Sequence, residues 1–205
     1  GNRIPPLIAF MKIHIPEDCT QINVLVSGGA DSALLLYLLV LENKTRNLPI
    51  ACYGMMKRKN QFHIQNVIQW ISDNLHVQCQ VQITEKFFFI RKFVESILLI
   101  STSNSYVFSA CNKVVENEFT PTRYIAGDTP PVRGPAFNEF HVRPFIDMDK
   151  IEVCELYKHH HLQDLFLKTH SCGTDIHGHC GECYFCLERA WGVDNSGLFS
   201  IGISH

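Results

Sequence analysis

The sequence predicts an α/β fold, a doubly wound and mainly parallel sheet with a small metal-binding segment at its C-terminal end. Three observations predict it. Short apolar, β-branched runs alternate with longer leucine-rich or amphipathic runs through the first two-thirds of the chain, which is the pattern of strands joined by crossover helices. A glycine-rich turn stands where the first strand meets the first helix. Four cysteines crowd into one short stretch near the end.

The elements follow in order. "INVLV" at 22–26 is nearly all apolar, as a strand buried on both sheet faces requires. Residues 33–41 are too long and too rich in leucine for a strand and read as a helix. Residues 49–56, "PIACYGMM", read as the next strand and 61–75 as an amphipathic helix. "VQCQVQI" at 77–83 alternates cleanly, 88–99 reads as helical, and "SYVFSAC" at 105–111 as a further strand. Residues 116–141 hold Pro121, Pro130, Pro131 and Pro135 with Gly127 and Gly134. That composition predicts a long irregular loop of the kind that carries function. A final helix is expected at about 150–161, leading into the cysteine-rich tail.

Composition bounds the function. The chain has 205 residues, 46% hydrophobic and 19% charged, enough for a sizeable core and unlike a disordered segment. A formal net charge of -2 disfavours direct nucleic-acid binding, which leaves a basic footprint. No run has the length a membrane helix needs and no signal peptide is read, so a soluble, cytoplasmic protein without a membrane partner is expected. Cys19, Cys52, Cys79, Cys111 and Cys154 are scattered among hydrophobic residues and read as small buried side chains. Cys172, Cys180, Cys183 and Cys186 have the spacing C-x7-C-x2-C-x2-C. Four thiolates close a tetrahedral zinc shell and leave no position for water, so the site reads as structural, with an iron–sulfur cluster as the second reading. His177 and His179 read as bystanders.

The turn after the first strand is Ser27-Gly28-Gly29-Ala30-Asp31-Ser32. It lacks the lysine of GxxxxGK[ST] loops and the spacing of GxGxxG loops. Glycines let backbone approach an anion, the helix start adds amide donors, and the two serines add hydroxyls. Asp31 beside phosphates suits a magnesium ligand or a helix cap.

At these residues the chain resembles the PP-loop ATP pyrophosphatase superfamily (adenine nucleotide alpha hydrolase-like), whose signature is SGGxDS after the first strand. The resemblance implies that Ser27, Gly28, Gly29, Ala30, Asp31 and Ser32 bind ATP, with Asp31 serving magnesium. The cysteine cluster followed by Arg189 narrows the resemblance to the 7-cyano-7-deazaguanine synthase family. There, "VFSACNK" matches a strand-end segment in which Asn112 is retained and Ser109 replaces glycine. The segment from Arg143 onward matches the stretch before the zinc site, which makes Lys150 and Arg143 candidate phosphate contacts. The implied reaction adenylates the carboxylate of 7-carboxy-7-deazaguanine and converts it with ammonia to the amide and then the nitrile. Residues 1–165 would form the ATP-binding domain and 166–205 the zinc segment packed on it, with room for a homodimer.

The 116–141 loop departs from that family's pattern, as a diverged viral or defence-associated relative would. tRNA thiolation by another PP-loop branch, deazaguanine-linked protein modification, and a zinc-stabilised nucleotide-binding module without catalysis are the rival readings. Lys57-Arg58-Lys59 and the 159–161 histidines read as solvated surface, and the 87–89 phenylalanines as core. Asp128, Arg133 and Glu139 are loop residues with a substrate-reading chemistry.

Overall fold

The computed structural model describes residues 11–55, 61–84, 90–125, 136–175 and 177–200. Five strands, β1 (Gln21–Leu25), β2 (Ile50–Met55), β3 (Gln80–Thr84), β4 (Ser105–Phe108) and β5 (His141–Val142), form one sheet in the order β3-β2-β1-β4-β5. Every pairing is parallel. The order reverses between β1 and β4, so the chain leaves these two neighbouring strands toward opposite sides. The crevice opened there, at the carboxyl ends of the strands, is where such sheets bind ligands.

Alternation along the strands divides the core in two. Ile22, Val24, Cys52 and Phe108 face a large cluster with helices α1 (Ala30–Glu42), α2 (Gln61–Leu75), α5 (Lys150–His159) and α6 (Gln163–Lys168). Ala51, Tyr53 and Val107 face Phe93, Val94 and Ile97 of α3 (Ile90–Ile100). Helices therefore cover both faces, as a parallel sheet requires. α1 is buried nearly all round, from Ala33 to Val40, which explains why its sequence carries no polar stripe. Among the described residues no helix is long and apolar enough to cross a membrane.

Three details differ from the sequence expectation. The edge strand starts at Gln80 rather than 77, where pairing with Ala51 begins, and is largely exposed. The 116–141 stretch contains a short helix, α4 (Thr122–Ile125), and ends in β5; residues 126–135, with Asp128 and Arg133, lie outside the described residues. The helix opened by Lys150 is not the last: it stops at His159, and α6 and α7 (Tyr184–Ser196) follow. Within the 159–161 histidines, His159 and His161 are exposed but His160 packs edge-on against Tyr37. Lys57-Arg58-Lys59 and the 87–89 phenylalanines lie outside the described residues. Of the scattered cysteines, Cys19, Cys52, Cys111 and Cys154 are buried and Cys79 half-buried.

Candidate functional site

The turn between β1 and α1 is held by its own serines. Ser32 Oγ, nearly buried, accepts from Ser27 N at 3.1 Å and lies 3.2 Å from Ser27 Oγ, which accepts from Gly29 N at 3.2 Å. Gly28 adopts φ +84°, and a Cβ there would stand 2.9 Å from His63 Cβ on α2. Only glycine meets both demands. Its carbonyl accepts from His170 N at 2.8 Å, and the rings of His63 and His170 stack at 4.1 Å with 4° between planes. The C-terminal tail is thus bound to the back of the loop.

α1 begins with Gly29 at its N-cap, which supplies no side-chain cap to the first amides. A 13-residue helix presents at its start both amide donors and the positive end of its dipole. Asp31 is in this first turn, and it is not the cap. Its carboxylate instead meets Lys150 Nζ at 2.5 and 2.6 Å.

Lys150 opens α5 behind a capping box formed by Asp149 and Glu152. It is 5% exposed. Burial disfavours its ammonium, but Asp31 and then Glu188 outweigh that cost and raise its pKa. Glu188 Oε2 stands 3.8 Å from Nζ. Tyr157, also on α5, is fully buried and donates its hydroxyl to Ala30 O at 2.6 Å, which fixes α5 against the start of α1. α7 reaches the same place because Gly192 has no side chain: a Cβ there would lie 2.5 Å from Lys150 Cγ.

A cavity of about 860 Å³ lies over this junction, within the usual range for ligand sites. Ser27, Gly29, Ala30, Asp31, Ser32, Asn112, Lys150 and Glu188 line it, together with Tyr53, Met55 and Phe93 from the sheet and α3. Tyr124, Tyr184 and Phe185 line it too, with the Tyr124 and Tyr184 rings 5.0 Å apart. Arg143 follows β5 and is absent from the described lining.

At the end of β4, Ser109 Oγ lies 2.8 Å from His141 Nε2, while Phe137 N donates to His141 Nδ1 at 3.1 Å. A ring nitrogen that accepts carries no proton, so Nε2 must donate to the serine and the ring is neutral. Desolvation, helped by the Arg143 charge, holds the His141 pKa down at about 4. Through His141, Ser109 therefore ties β4 to β5 and to the chain entering it.

Cys172, Cys180, Cys183 and Cys186 place their sulfurs within 4.8 Å of one another, with 4.0 Å for Cys180–Cys186 and for Cys172–Cys183. A tetrahedron around one ion with bonds near 2.3 Å has edges of about 3.8 Å. The four sulfurs could hold a metal ion, and among the described residues no histidine joins them. Backbone N–H groups of Asp175 and Cys183 donate to Cys172 and Cys180 at 3.2 and 3.3 Å, as outer groups do around metal-bound thiolates. Desolvation opposes the Cys172 thiolate, but the Thr174 hydroxyl and nearby amides bring its pKa down to about 5. Burial lifts Cys186 to about 12, with Cys183 and Cys172 beside it; a cation among the four would favour the thiolate at each. Arg189 is absent from the cavity's described lining. Its guanidinium bonds Thr169, Ser171 and Phe166 O and lies 3.9 Å over the Phe166 ring, joining α7 to α6.

The sequence reading missed Glu188, Gly192, Tyr157 and the His63–His170 stack. Only Glu188 carried a signal, a lone acid two residues after the last cysteine, and nothing in its neighbours says that it turns inward.

No family model matches the chain and no curated protein matches its sequence. Its structure is similar to that of NMN synthetase from Francisella tularensis, with 14% identity, a TM-score of 0.51, and 91% of this chain and 90% of that one covered. It is also similar to the U34-tRNA thiolase NcsA from Methanococcus maripaludis with its [4Fe-4S] cluster, at 14% identity, TM-score 0.50, and coverage of 89% and 67%. The chain has their fold, a parallel α/β sheet of the PP-loop, adenine nucleotide alpha hydrolase-like kind, with a four-cysteine cluster beside it.

Proposed function

We propose that the protein is an ATP-dependent carbon–nitrogen ligase that adenylates the carboxylate of 7-carboxy-7-deazaguanine and converts it, with ammonia, to the amide and then the nitrile. The observation that carries the adenylating step is the uncapped start of α1, set with Asp31 and Lys150 at the sheet's switch point. The Ser27–Ser32 turn and the first amides of α1 would hold the β,γ-pyrophosphate, and Asp31 would serve magnesium. Lys150 offsets charge that develops as pyrophosphate leaves.

A carboxylate is a poor electrophile because oxide is its leaving group. Its oxygen attacks the α-phosphorus of ATP, the bond to the β-phosphate oxygen breaks, and pyrophosphate leaves with that electron pair. Ammonia adds to the acyl carbon and expels AMP, giving the amide. A second adenylation, on the amide oxygen, lets loss of AMP and protons form the nitrile. The protein's share is positioning and charge neutralisation. The cavity's volume would admit a nucleotide and a planar second molecule, and the Tyr124–Tyr184 pair suits an aromatic ring.

The four cysteines are assigned to one structural zinc per chain in a cytoplasmic enzyme. Sulfurs this close suit a single tetrahedral ion, whereas the iron cube of a [4Fe-4S] cluster would stand them farther apart. That spacing also places tRNA thiolation second, although the thiolase shares the fold.

The test is pyrophosphate release with 7-carboxy-7-deazaguanine, ammonium and magnesium, compared with ATP alone. Acid-dependent release that Asp31→Ala abolishes, with the nitrile identified by mass, is the expected result. Amide alone would indicate a different end product. No release with this acid, from protein that binds ATP, would refute the substrate assignment.

A further inference from the structure

Lys150 stands between two carboxylates, and the mechanism above uses only one. Its ammonium meets both Asp31 oxygens, while Glu188 Oε2 waits at 3.8 Å. Glu188 is 9% exposed, and its Oε1 accepts from the Tyr184 hydroxyl at 3.3 Å. One ammonium and two carboxylates leave a net charge of about −1, with Lys150 and Glu188 almost buried and the Asp31 side chain 25% exposed toward the cavity. A site with an excess negative charge favours a further cation.

A divalent ion arriving at Asp31 draws that carboxylate away from Lys150. The lysine side chain is 6% exposed, so solvent cannot replace the lost partner, and a buried charge without a partner is strongly disfavoured. Glu188 can replace it. Closing from 3.8 Å to a charge-assisted contact of about 2.8 Å needs a shift of roughly one ångström. Tyr184 holds the other Glu188 oxygen, and Gly192 lets α7 sit directly on Lys150. The acceptor is therefore fixed and the ammonium is the part that swings.

We infer that Glu188 is a positioning residue: it receives the Lys150 ammonium when Asp31 turns to the divalent ion bound with ATP. The inference rests on the ATP reading above. In this role Glu188 acts through Lys150, by making Asp31 available at no loss to the lysine.

The experiment uses Mn2+ as the ion, with electron paramagnetic resonance reporting free Mn2+ as full-length protein is titrated in the presence of ATP. Glu188→Gln keeps the side-chain shape and a partner for Tyr184. It should weaken Mn2+ retention at least tenfold while leaving ATP binding without Mn2+ no weaker. Glu188→Asp should recover part of the loss. In a Lys150→Met background the same Glu188→Gln change should have little further effect, because no ammonium is left to receive; this cycle separates positioning from a bare charge effect. Wild-type retention in Glu188→Gln, or an undiminished loss in the Lys150→Met background, overturns the role of Glu188 and leaves the ATP reading standing. Wild-type protein that retains no Mn2+ with ATP overturns both. Should Glu188→Gln not fold, unchanged retention in Glu188→Asp overturns the inference by itself.

Discussion

Replacing Gly192 with alanine tests the packing of α7 on the lysine. The added Cβ would lie 2.5 Å from Lys150 Cγ, 2.9 Å from Lys150 O and 3.1 Å from Cys154 Sγ. One contact is backbone and another is a side-chain atom near its root, so no flexible tip can swing clear. Overpacking of this kind costs about 1–3 kcal/mol, and the upper half of that range fits a backbone contact. Alanine recovers about 1 kcal/mol in helix propensity over glycine. The net loss is about 1–2 kcal/mol, which for a chain of this size lowers Tm by roughly 2–8 °C. The functional loss should be larger, because relief of the clash moves Lys150 off Asp31, and an ångström of misplacement can cost about a hundredfold in rate. Scanning calorimetry reads the first effect and pyrophosphate release the second. A variant that melts at or above the wild-type temperature and turns over at the wild-type rate would refute the reasoning.

Two further outcomes are expected. Elemental analysis should find one zinc per chain, and Cys183→Ser should lose it with a lowered Tm, since metal binding in small zinc modules contributes on the order of ten kcal/mol to folding; iron with sulfide, or a variant that keeps both zinc and Tm, would oppose the assignment. His141 is neutral in the folded protein down to about pH 4, whereas in the unfolded chain it gains a proton near pH 6.5. Between those values the unfolded state binds more protons, so this histidine makes stability drop as pH is lowered through that window and has no effect above it. The full loss is at most on the order of 3 kcal/mol, and urea titrations at pH 7, 6 and 5 should show a slope that His141→Gln reduces; an unchanged slope in that variant would contradict the buried neutral ring.

The sheet was legible because its strands are buried on both faces and announce themselves as apolar runs, and the turn at Ser27–Ser32 because its residue types have few other uses together. α7 was not. The residues it buries are Cys186, Glu188 and Gly192, so a helix that packs against α5 along its length carries no apolar period to read. β5 is two residues long and exists because Val107 and Phe108 pair with it, not because its own sequence favours a strand. Asp31 allowed two readings, magnesium ligand or cap; the geometry removes the cap by showing its carboxylate on Lys150, a residue 119 positions away. Contacts of that separation leave no trace in local spacing, which is also why Glu188 and Tyr157 went unnoticed.

The helix that carries Cys186 also carries Gly192, so the cysteine cluster and the surface that receives Lys150 are set at fixed phase on one rigid rod. Inserting a single residue between them would turn everything beyond it by about 100° and advance it by about 1.5 Å. Gly192 would then face elsewhere and a bulkier neighbour would meet Lys150. The chain can lengthen or shorten between Cys172 and Cys180, where Thr174, Asp175, His177 and His179 are exposed, and still close its cluster. Between Cys186 and Gly192 its length is fixed, and in lineages descended from this sequence that interval should keep its count of residues even where their identities drift.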